Sequence, residues 1–193
     1  DTKAIQEAID KYDNIYVPQG WYRITETLKM KPDTKLIGLH PFGTQFRLDE
    51  STAAFRGFGG PKAMVESSEG GANMLMGIGI NTGGYNYRAV GVKWMANADS
   101  YMNDVKFVGG HGGLWKPKPG VEEPRGRWNR PARISSPDNP VAASGMDLAW
   151  DNQYWSLWVT NNGGGTFKDI WTASTYATNG FYANNTSTPG RIY

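Results

Sequence analysis

The chain has 193 residues, enough for one domain with a buried core, and no run approaches the roughly 18 apolar residues of a membrane span. Its 20 basic and 18 acidic side chains leave a formal charge of +2 with no long basic run, so it carries no field that would gather nucleic acid. The absence of cysteine excludes disulfides, thiolate metal sites and thiol nucleophiles together.

In chain order, Ala4, Ile5, Ala8, Ile9 and Tyr12 fall on one stripe of a three-turn helix over residues 2–12, with Asp1 or Thr2 able to cap it. So short a helix is marginal alone, and its apolar stripe is expected to lie over an exposed sheet edge. Residues 14–48 then read as short runs of strand formers, namely Ile15 to Val17, Tyr22 to Thr25, Leu28 to Met30, Lys35 to Leu39 and Gln45 to Leu48. Pro18-Gln19-Gly20 and Pro32-Asp33 turn the chain between them. No gap carries the Asn-Gly or Asp-Gly pair that folds a strand back on its predecessor. Strands that turn corners without reversing predict a coil.

The same residues, DTKAIQEAID followed by IYVPQGWYRI and TKLIGLHPFGTQFRL, resemble the opening of the pectate-lyase-like superfamily of right-handed parallel β-helices. The resemblance covers about the first 50 residues and implies a capping helix followed by stacked coils. It also implies a carbohydrate-active protein, since the superfamily includes polysaccharide lyases, glycoside hydrolases and phage tailspikes, while leaving the reaction open. The start at Asp1, inside the motif, and the ending Pro189-Gly190-Arg191-Ile192-Tyr193 read as an N-terminal fragment of a longer catalytic domain.

Farther along, the strand pattern lapses between Asp49 and Gly71, where a loop leaves the coil and ends in a short strand at Ala63-Met64-Val65. The repeat then resumes. Ile78, Val105 and Ile170 occupy matching places in three similar units, 27 and 65 positions apart. The first interval suits a solenoid coil, and the second suits one coil plus an inserted loop of about 40 residues. Ala89-Val90-Gly91-Val92 and Ser156-Leu157-Trp158-Val159 repeat as a second strand type. Asn97, Asn161-Asn162 and Asn184-Asn185 fall where corners are expected, since Asn tolerates the left-handed conformation and can bond between coils.

Residues 114–145 interrupt the repeat with six of the eleven prolines, together with Trp115 and Trp128. Proline cannot supply ladder hydrogen bonds, so this stretch is expected to cross one face as a loop. Five of the eight tryptophans, Trp115, Trp128, Trp150, Trp155 and Trp158, crowd around the insertion and its return. A narrow coil interior cannot hold them all. Those facing outward offer flat apolar faces suited to pyranose rings, or else pack the loop onto the coil.

Hydrolysis of a glycosidic bond calls for two carboxyl groups. Asp147 and Asp151, four apart beside Trp150 and Tyr154, come within about 6 Å on a helical turn. Asp104 and Asp169 hold matching places in two units and would stack about 4.8 Å apart in adjacent coils, although an outward strand position with a purely structural role explains them better. Trp115, Trp128, Trp150, Tyr154, Trp155 and His111 are the candidate substrate-binding residues. His111, between glycine pairs, faintly resembles the G-H-G signature of polygalacturonase-type hydrolases, but the accompanying N-T-D and D-D segments are absent. His40 reads as a structural corner residue.

The expectation is a single all-β domain, a right-handed parallel β-helix with an N-terminal capping helix and an inserted loop. Its expected function is that of a secreted bacterial glycoside hydrolase cleaving a neutral glucan-type polysaccharide, without metal or other cofactor. A β-eliminating lyase is the first alternative, disfavoured because no tight acidic cluster for calcium appears. A non-catalytic glycan-binding β-helix is the second. The expected partner is a polysaccharide or oligosaccharide, not nucleic acid or membrane.

Overall fold

The computed structural model describes residues 1–57, 59–109, 153–174 and 176–193. The first coil consists of β1 (Asn14–Val17), β2 (Gly20–Arg23) and β3 (Leu28–Lys29), preceded by α1 (Thr2–Lys11). The next coils are β4 (Lys35–Gly38), β5 (Thr44–Arg47) and β6 (Lys62–Glu66), then β7 (Met74–Met76), β8 (Gly79–Asn81) and β9 (Ala89–Trp94). The fourth comprises β10 (Tyr101–Asn103), β11 (Lys106–Phe107) and β12 (Gln153–Val159), and the fifth β13 (Gly165–Lys168), β14 (Trp171–Thr172) and β15 (Ala177–Ala183). β16 (Gly190–Ile192) begins a sixth.

Every third strand pairs with the one before it, giving three sheets: β1-β4-β7-β10-β13-β16, β2-β5-β8-β11-β14 and β3-β6-β9-β12-β15. All these pairings are parallel. The chain is a parallel β-helix. Among the described residues no helix is long and apolar enough to cross a membrane.

Register stacks apolar side chains in columns, one from each sheet. Leu36, Leu75, Met102 and Phe167 form the first, Phe46, Ile80 and Phe107 the second, and Leu28, Val65, Val92 and Leu157 the third, and all of them are buried. The interior also takes one large ring. Trp94 is fully buried, meets Phe167 edge to face and donates from Nε1 to the Gly164 carbonyl at 2.9 Å.

The helix covers the first coil, as its stripe predicts, with Ile5 and Ile9 buried beneath it. Its polar side chains complete the exposed edge. Thr2 Oγ1 accepts from the Thr25 amide, and Gln6 both accepts from the Lys29 amide and donates to the Lys29 carbonyl. Asp1 makes no side-chain cap; its carboxylate accepts instead from the Arg23 amide at 2.8 Å.

The predicted strand within residues 49–71 is β6, and the 65-residue interval separates β10 from β13, which pair directly. Asn161, Asn162 and Asn185 adopt positive φ at corners, as expected of Asn there. Two other asparagines bracket the coils. Asn86 accepts from the Thr52 amide and donates to the Asp49 and Thr82 carbonyls, while Asn73 accepts from the Ser68 amide and donates to the Lys31 and Thr34 carbonyls.

Candidate functional site

The outer face of the third sheet carries a cluster of rings. Glu66, Lys93, Trp158 and Tyr182 stand in register on successive coils. Ser156 and Leu157 are both buried, so the in/out alternation slips and Trp155 emerges on the same side as Trp158. The Trp155 and Trp158 ring centroids lie 5.0 Å apart, and Trp155 stacks on Tyr182 at 4.0 Å with planes 18° apart. Tyr154 meets Trp155 edge to face, and its hydroxyl donates to the Gly59 carbonyl. Lys93 Nζ lies 5.0 Å from the Trp158 ring centre, and Trp158 Nε1 donates to Asn184 Oδ1 at 2.8 Å. The rings are half-buried, which leaves a rigid aromatic platform with polar groups at its margin.

The corner joining the second sheet to the third gathers polar side chains. Arg47 and Asn81 are register neighbours on β5 and β8, both buried. Thr82 follows Asn81, and Gln153 opens β12, donating to the Gly83 carbonyl. A Cβ on Gly109 would stand 2.6 Å from Ser174 Oγ, 2.7 Å from Thr82 Oγ1 and 3.2 Å from the Tyr176 ring, so only glycine leaves room between these groups. Arg47 Nη1, Asn81 Nδ2, Thr82 Oγ1, Gln153 Oε1 and Ser174 Oγ are buried without a hydrogen-bond partner. Each such atom costs about 1–3 kcal/mol. Among the described residues only Asn103 Oδ1 shares this condition.

Charge at this corner is mixed. Arg47 lies over the Trp21 ring at 4.5 Å, and burial lowers its pKa against the opposing effects of Asp49 and Tyr176. Arg23 Nε pairs with Asp49 Oδ2 at 2.6 Å. Glu50 stays in solvent contact, yet the neighbouring protein removes enough of its hydration to raise its pKa.

Of the predicted site residues, Tyr154 and Trp155 meet on the platform. Asp104 and Asp169 do stack in adjacent coils, but at the corner between the first and second sheets, away from the platform. They stand at corner positions rather than on strands, at φ 49° and 52°, in the place taken one coil earlier by Gly77 at 63°. Each has a lysine partner, Lys106 at 3.0 Å from Asp104 and Lys168 at 3.6 Å from Asp169. Asp147, Asp151, Trp115, Trp128, Trp150 and His111 lie outside the described residues. Reading the chain in order misses Tyr182, Lys93 and the polar corner, because register rather than sequence proximity assembles them; the pairing of matched units in the repeat is the signal that could have found Lys93.

No family model matches the chain, and no curated protein is significantly similar to it.

Proposed function

We propose that the chain is a polysaccharide-degrading protein of the pectate-lyase-like kind, a secreted bacterial glycoside hydrolase acting on a neutral glucan-type polysaccharide. The observation that carries this reading is the platform of Trp155, Trp158 and Tyr182, whose rings are fixed by stacking and by the Trp158 bond to Asn184. Rigid half-exposed rings suit the apolar faces of sugar rings and lose little freedom on binding. Asp147 and Asp151, just ahead of Gln153 in the chain, are the proposed acid and base, by sequence alone.

A second reading, glycan binding without cleavage, is favoured by one observation: Asp104 and Asp169, the described acid candidates, stand at the corner between the first and second sheets and not on the third-sheet face that carries the platform. A reducing-end assay against neutral and uronic-acid polysaccharides, read in parallel for ultraviolet absorbance of unsaturated products, separates the outcomes. New reducing ends without that absorbance, abolished in Asp147→Asn or Asp151→Asn, are expected. Absorbance would identify elimination instead, and binding without turnover would leave the second reading.

A further inference from the structure

Glu50 lies just beyond β5, on the surface outside the packed corner. The backbone that follows it is pinned. Ser51 takes a left-handed φ of 53° and donates its amide to the Gly84 carbonyl at 3.0 Å, and the Thr52 amide donates to Asn86 Oδ1 at 2.7 Å. A serine at positive φ is a strained choice that these bonds sustain. The turn sets the Glu50 side chain over Gly84. A Cβ there would stand 3.5 Å from Glu50 Oε1 and 3.6 Å from the Tyr176 hydroxyl oxygen, so carboxyl and phenol converge on the same residue.

That point adjoins the platform. The Gly83 carbonyl, next to Gly84, accepts from the Gln153 side chain, and Tyr154 and Trp155 follow Gln153 on the adjoining coil. Coils repeat about every 4.8 Å. The loop that Glu50 opens is also the one whose Gly59 carbonyl accepts from the Tyr154 hydroxyl. The charged and titratable groups around Glu50 leave it without an ion pair among the described residues: Arg23 on β2 holds Asp49, Arg47 on β5 lies over Trp21, and Tyr176 precedes β15. Desolvation raises the Glu50 pKa. A carboxyl that keeps its proton to higher pH is suited to give it up to a leaving group.

We propose that Glu50 is the general acid of the glycan hydrolysis, with Tyr176 beside it and the sugar chain lying over the surface from the platform. This inference rests on the hydrolase reading above; it takes the acid's part from the pair assigned by sequence alone and leaves Asp147 or Asp151 as the base. The Glu50 proton passes to the glycosidic oxygen as the bond from that oxygen to the anomeric carbon breaks, the bonding electrons staying on oxygen. Water supplies a hydroxyl to the carbon and a proton to the base, and solvent reprotonates Glu50. Nothing has to enter the packed corner.

The test compares turnover by the full chain of a neutral gluco-oligosaccharide and of its dinitrophenyl glycoside, whose leaving group departs without a proton. Calorimetric titration with the oligosaccharide follows binding separately. Glu50→Gln is expected to leave affinity nearly unchanged, to lower kcat on the oligosaccharide at least about 100-fold, and to lower it under about tenfold on the dinitrophenyl glycoside. The limb of the kcat/KM profile that falls as pH rises should disappear in the variant. Glu50→Ser should give the same contrast between substrates if circular dichroism finds the glutamine variant unfolded. Equal losses on both substrates, or none on either, would overturn the acid role while hydrolysis by the unaltered chain keeps the hydrolase reading. No new reducing ends from the unaltered chain would overturn both.

Discussion

Asp104 and Asp169 occupy backbone conformations that few side chains accept. Their φ angles, with that of Gly77, form a left-handed corner repeated coil after coil, where Asp is tolerated and a β-branched residue is not. Asp104→Gly should fold with near-unchanged stability and keep glycan turnover, whereas Asp104→Val should lose about 1–3 kcal/mol in chemical denaturation. Loss of turnover in a well-folded Asp104→Gly chain would restore a chemical role to this carboxylate. The sequence shows that the two aspartates share a place in the repeat but not that the place is a corner, because φ is set by how the following Val105 and Ile170 turn inward. Glu50 gives a pH-dependent counterpart. Its pKa is raised by desolvation, so the folded state holds the proton more tightly than the unfolded one. Its penalty is absent below its unfolded pKa and grows as pH rises through the folded value. Glu50→Gln should therefore raise the denaturation midpoint at about pH 7 and leave it unchanged at about pH 3. The gain should be under about 1 kcal/mol, since solvent screens a group this exposed.

At the scale of elements, α1 is legible in the sequence because its stripe obeys the helical period, and the strands of residues 14–48 because Pro and Gly punctuate them. The way the helix closes the coil is less legible: Gln6 acts as a short stand-in for a strand, exchanging two hydrogen bonds with the backbone of Lys29, and nothing in the sequence marks that partner. Ile9, fully buried under the helix, should cost about 2–4 kcal/mol on truncation to Ala, read as a lowered denaturant midpoint with an unchanged slope. The third sheet behaves similarly. Tryptophan crowding near residue 155 is visible in the sequence, but the shared face of Trp155 and Trp158 depends on two successive inward residues, Ser156 and Leu157, which strict alternation does not anticipate. Trp158→Ala removes a ring held by Trp155, Lys93 and Asn184 and should weaken binding of neutral oligosaccharide at least tenfold in the same calorimetric titration.

Across the whole molecule, stability is shared along columns rather than gathered in one centre. Asn73 and Asn86 tie backbone groups of neighbouring coils, so each serves as a bracket for two turns of chain. Asn86→Ala leaves the Thr52 amide and the Asp49 and Thr82 carbonyls short of a partner and should cost about 2–4 kcal/mol by thermal denaturation. The coil period is readable from Ile78 and Val105, and the long interval to Ile170 agrees with the direct pairing of β10 with β13. The polar corner was not readable, because its members come from four coils and acquire meaning only once those coils are stacked.

The pairing of β10 with β13 and of β9 with β12, and the bond from Trp94 to the Gly164 carbonyl, all close the stack across residues 110–152 without using them. β11 ends at Phe107 and β12 begins at Gln153, each in register with its neighbours on the adjoining coils. The two halves of the stack are thus clasped by three separate ties, so a slip of register in one half would have to break all of them at once.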